Sequence, residues 1–146
     1  MKKLSDDLQE LADHVANVEK KAAAAEEASR EKVEASIQKS KANAKARQEL
    51  FKADIKKRQE ATATHWQELQ EDYHQRVQQI KSKIKTEKEA IEAKQAKRRA
   101  DDAEAYAKSA IDFAMMAIDD AEVAVLEAID ARVYAESLPQ KEAALR

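Results

Sequence analysis

A chain of 146 residues with no glycine, one proline and 38% charged residues lacks the turn formers and the apolar mass of an ordinary globular domain. Of its 63 hydrophobic residues 31 are alanine, so a compact single-chain core would be thin and burial between chains is the expected supplement. Without cysteine there are no disulfides, thiolate metal sites or thiol nucleophiles, and the net charge of −2 hides an uneven distribution. Residues 1–31 carry −3, residues 32–99 carry +8 and residues 100–146 carry −7. A basic middle and an acidic end attract each other, within a hairpin or between subunits.

Abundant Ala, Glu, Lys, Arg and Gln at helical spacing predicts an all-α fold of long helices or coiled coils. The opening MKKLSDDLQELADHV has no continuous apolar run of the kind a secretory leader needs, and no 18-residue window is free of charge. A cytoplasmic location is the default expectation.

In chain order, Ser5-Asp6-Asp7 reads as a helix start, a hydroxyl cap followed by acids suited to the positive end of the helix dipole. Leu4, Leu8, Leu11, Val15 and Val18 then follow a heptad seam, which gives way to a period of eleven. Leu11, Ala22, Val33, Ala44, Ile55, Trp66 and Val77 recur at steps of eleven, and a second row runs Val18, Ser29, Ser40, Phe51, Thr62, Tyr73 and Ile84. Leu69, Ile80 and Ile91 form a third row. Eleven residues in three turns keep a seam on one face of a nearly straight helix, so residues 1–98 are expected to form one long hendecad helix, about 140 Å if unbroken. The bulky residues concentrate from Phe51 onward, which predicts better packing at 51–98 than at 22–48.

No glycine or proline interrupts residues 1–138, so reversals must be read from charge. Lys97, Arg98 and Arg99 suit a helix C-terminus and Asp101 and Asp102 the next N-terminus, which predicts a turn near Arg98–Asp102, with one unbroken helix as the alternative. Weaker breaks are placed at Ala61–Thr64 and at Lys85-Thr86, where Thr86 and Glu89 could form a capping box.

The stretch 101–138 is the core helix of this reading. Of 32 apolar residues larger than alanine, 13 lie between Ala103 and Leu138 and only 18 in the first 100 residues. At 100° per residue they form a bulky stripe of Ile111, Met115, Ile118, Leu126, Ile129 and Val133. A small-residue stripe holds Ala110, Ala117, Ala121, Ala124, Ala128 and Ala135, and a polar stripe holds Lys108, Asp112, Asp119 and Asp130. Glu122 falls on the bulky stripe, where a carboxylate would fix register by pairing with a Lys, Arg or His across an interface. Ser137 and Pro139 end the helix by Leu138, leaving 139–146 as a short tail. The expected architecture is an elongated coiled coil or helical hairpin, the acidic helix folded back along 66–98, and oligomeric.

Candidate chemistry is sparse. Glu71-x-x-His74 has the spacing di-iron carboxylate bundles use, but it occurs once, and an exposed pair explains it. Neither a nucleophile with its base, nor a phosphate loop, nor a metal set is recognisable, so no enzymatic activity and no cofactor are expected. Basic runs that include Lys52, Lys56, Lys57 and Arg58, and Lys97, Arg98 and Arg99, could meet phosphates of an anionic membrane or, less readily, of nucleic acid. A solvated face or an internal acidic partner accounts for them more cheaply. Interface residues are placed at Phe51, Ile55, Trp66, Leu69, Tyr73, Val77, Ile80, Ile84 and Ile91, and along the bulky stripe with Glu122. The partner implied is a further copy of the chain, with a structural, scaffold or adaptor role.

Over residues 11–84 the eleven-residue amphipathic period resembles that of apolipoprotein-like lipid-surface helices and of desiccation-associated late embryogenesis abundant proteins. The likeness is one of period and composition, the bulky C-terminal helix departs from it, and no function follows from it.

Overall fold

The computed structural model describes residues 3–58, 61–85 and 92–139, and every regular element among them is an α-helix. The helices are α1 (Leu4–Glu26), α2 (Arg30–Arg58), α3 (Ala63–Lys85) and α4 (Ala93–Ser137). The chain divides into two units, Met1–Gln79 and Ile80–Arg146, so that α3 begins in the first and residues 80–85 of it belong to the second.

The single helix expected over 1–98 is instead interrupted. α1 starts two residues earlier than the serine cap predicts, with Lys3 as its extended cap residue. The acid does the capping: the Lys3 backbone N–H donates to Asp6 Oδ2 at 3.0 Å, while Asp6 and Asp7 sit in the first turn and favour the dipole. α1 ends on Glu26-Glu27, two acids at the negative end of a helix, where no basic residue compensates. The Glu27 N–H donates to the Ala24 carbonyl at 3.3 Å and the Ala28 N–H to the Ala25 carbonyl at 3.2 Å, tightening the last turn while Glu27 itself stays right-handed.

Ser29, placed by its spacing on the seam, opens α2 instead. Its hydroxyl accepts the Lys32 N–H at 3.4 Å, and its carbonyl accepts the Val33 N–H at 3.0 Å. α2 closes with Lys56, Lys57 and Arg58 in its last turn, where cations offset the partial negative charge of the free carbonyls. Residues 61 and 62 form a turn, in the region where the β-branched threonines suggest a break, and the Thr62 carbonyl accepts the Trp66 N–H at 3.0 Å to start α3. The capping box proposed at Thr86 and Glu89, and the seam position Ile91, lie outside the described residues.

α4 corrects the reversal expected at Arg98–Asp102, because it runs unbroken from Ala93 through Ser137. The charges that suit two helix ends also suit one helix: Lys97 and Asp101, like Arg98 and Asp102, are four residues apart on a single face. With no glycine or proline in the segment, continuing costs less than turning. At 45 residues α4 is about 68 Å long. Its end is where the sequence puts it. Leu138 is extended at φ −76 and ψ 144, the conformation a following proline imposes. The Ser137 hydroxyl, expected to cap a new turn, donates back to the Tyr134 carbonyl at 2.7 Å and satisfies one of the open acceptors of the last turn.

Burial in the single chain is slight. α1 and α2 make contact with each other in the first unit, and Ile55, 3% exposed, is the buried hydrophobic residue among those described.

Candidate functional site

The bulky face of α4 is the strongest candidate. Ile111, Met115, Ile118, Leu126, Ile129 and Val133 lie along one side of an uninterrupted helix, and their exposure runs from 38% at Ile118 to 62% at Ile111. Glu122 is exposed in the middle of the row. On the neighbouring polar stripe Lys108 reaches Asp112 at 3.8 Å, an exposed pair one turn apart that contributes little to stability. The opposite flank is lined by alanines, with Ala121 and Val125 half-buried there. A continuous aliphatic row of this length stays in water only at a cost, which is the physical mark of an interaction surface.

The hendecad residues sort differently in the first unit. Ile55 is buried and Phe51 and Val77 are half-buried, whereas Trp66, Leu69 and Tyr73 in α3 are all about half exposed or more. The less exposed residues of α3 are Ala63, Gln67, Gln70, His74 and Val77, at alternating steps of four and three. This row lies roughly 100° around the helix from the bulky row. Sequence reading found only Val77 of it because the other members are small or polar, and the alternating spacing was the available signal. In the second unit Ile80 is also exposed, and the side chain of Ile84 lies outside the described residues.

The basic runs acquire local explanations in part. Lys56, Lys57 and Arg58 complete the C-terminal turn of α2, and Lys52 pairs with Glu49 at 4.0 Å. Consecutive residues on a helix diverge by 100°, so Lys97, Arg98 and Arg99 point in three directions and form no single phosphate-facing surface. Arg99 is half-buried with its Nε shielded and without a hydrogen-bond partner. This second cluster lies beyond the first turn of α4, where the dipole neither holds nor repels it.

Glu71 is exposed and His74 half-buried, while the adjacent Asp72 pairs with Arg76 at 3.0 Å. Among the described residues there is no group of three or more His, Asp or Glu side chains that could hold a metal ion, and no helix is long and apolar enough to cross a membrane.

Comparison with protein-family models, curated proteins and solved structures finds no match. What the chain does must therefore be argued from its own surface.

Proposed function

We propose that this chain is a self-associating, non-catalytic helical protein of the cytoplasm with a structural or adaptor role, assembling with a second copy through the bulky face of α4. The observation that carries this is the exposure of six large aliphatic side chains in register along one face of a 45-residue helix that buries none of its residues. Each of these side chains, moved from about half exposed to fully buried, stabilises an assembly by roughly 1 kcal/mol. An isolated helix also gains most of its stability from packing an apolar face, which gives α4 itself a reason to associate. A seam that recurs at steps of three, four and eleven is the pattern of coiled-coil pairing, with little supercoil.

Sedimentation and small-angle scattering on a dilution series test this. The expected mass is at least twice 16.4 kDa at high concentration, falling on dilution. Ile118→Asp with Ile129→Asp would bury unpaired charges in every seam contact and should leave a single-chain mass with reduced helix content. A wild-type mass of one chain at every concentration would remove the proposal.

A further inference from the structure

The geometry points to an antiparallel pairing of α4 with α4 of a second copy, its two-fold axis passing beside Glu122. This rests on the self-association proposed above and adds the direction, the register and the role of the one charged residue in the row.

The bulky face is symmetric about Glu122. Ile118, Met115 and Ile111 stand four, seven and eleven residues before it, and Leu126, Ile129 and Val133 stand four, seven and eleven residues after it. α4 is unbroken across the whole span and leaves all seven residues accessible. Two such helices running in opposite directions about an axis at Glu122 therefore set Ile118 against Leu126, Met115 against Ile129 and Ile111 against Val133. The two Glu122 side chains meet each other at the centre. Slipping by eleven residues either way would set each Glu122 against Ile111 or Val133, burying two carboxylates among aliphatic groups. The symmetric register confines the polar atoms to one layer, so Glu122 specifies alignment in the way a lone polar core residue does in coiled coils.

Direction is decided by charge. Along one shoulder of the face Lys97, Lys108, Asp119 and Asp130 recur every eleven residues, basic in the first half and acidic in the second. A parallel pair would set the acidic second halves of the two helices side by side, and the Lys94, Lys97, Arg98 and Arg99 cluster at the same end as its copy. Antiparallel pairing turns each helix end for end, so that Lys108 of one helix stands level with Glu136 of the other. Asp119 and its copy flank the central layer.

Because the chain has no cysteine, a single introduced one carries a single spin label. Ser109→Cys and Asp120→Cys both lie on the exposed side away from the face. Double electron–electron resonance on the antiparallel dimer should give labels about 40 Å apart along the axis at position 109 and about 6 Å apart along it at position 120. Short distances at both positions would show a parallel pair and overturn the direction while leaving self-association standing; a single-chain mass would instead remove self-association itself. The second arm is Glu122→Gln, which removes the meeting of two like charges and should tighten the dimer about tenfold. A weaker dimer would mean that Glu122 has a cationic partner, and would overturn the axis.

Discussion

Ile55 is the residue on which the first unit's packing can be tested. A leucine or isoleucine cut back to alanine inside a core costs roughly 2–5 kcal/mol, and Ile55 is the buried hydrophobic residue among those described. Phe51, one turn away, is only half-buried and can settle toward the gap, so Ile55→Ala should cost about 2 kcal/mol in urea unfolding. Leu50→Ala, at a position 64% exposed, should cost under about 0.5 kcal/mol. Equal effects would mean that Ile55 is buried against nothing that matters. Ser29 offers a finer test. Its contact with the Lys32 N–H is long at 3.4 Å, so Ser29→Ala should lose only about 0.5 kcal/mol, at the low end for a helix cap. A gain in stability and helix content would show that alanine lets α1 run into α2. The Asp72–Arg76 pair is exposed on both sides, and Arg76→Ala should leave the melting curve within error.

At the scale of elements, the continuity of α4 is the point most open to challenge by experiment. A proline inside a helix removes a hydrogen bond and clashes with the preceding turn, at about 3 kcal/mol or more. Ala100→Pro should therefore lower the circular dichroism signal and the melting temperature sharply. If residues 98–102 were the reversal that their charges also suit, the same substitution would be close to neutral. The basic end of α2 makes a second prediction. Lys56→Glu, Lys57→Glu and Arg58→Glu together replace three favourable dipole interactions by unfavourable ones, and should destabilise the first unit by roughly 1–3 kcal/mol at low salt. The loss should shrink as salt rises.

For the whole molecule the rival expectation is a polyanion partner. Acidic vesicles and duplex DNA should both fail to bind at physiological salt, because α2's basic residues end a helix and Lys97, Arg98 and Arg99 diverge around another. Binding that falls steeply with salt, and is lost with the charge reversals at 56–58, would transfer the function to a membrane or nucleic-acid surface. Absence of binding alongside concentration-dependent mass keeps it with protein–protein assembly.

The sequence by itself determined that the described chain is helical, that a bulky row runs along the last long helix, and where that helix stops. These follow from local physics: helix-forming residues without glycine, the 3.6-residue period, and Pro139 forcing Leu138 out of the helix. It was ambiguous wherever two small local terms opposed each other. Ser29 fits a row of eleven as well as it fits a cap, and Lys97–Asp102 fits a turn as well as one face of a helix; each choice is worth a kcal/mol or less. Only the tertiary structure decided those cases, and only it showed that Trp66 and Leu69 face solvent while Gln67 and Gln70 are half-buried. Periodicity says which residues share a face, but burial depends on what stands opposite that face, and this is a property of neighbours distant in the chain.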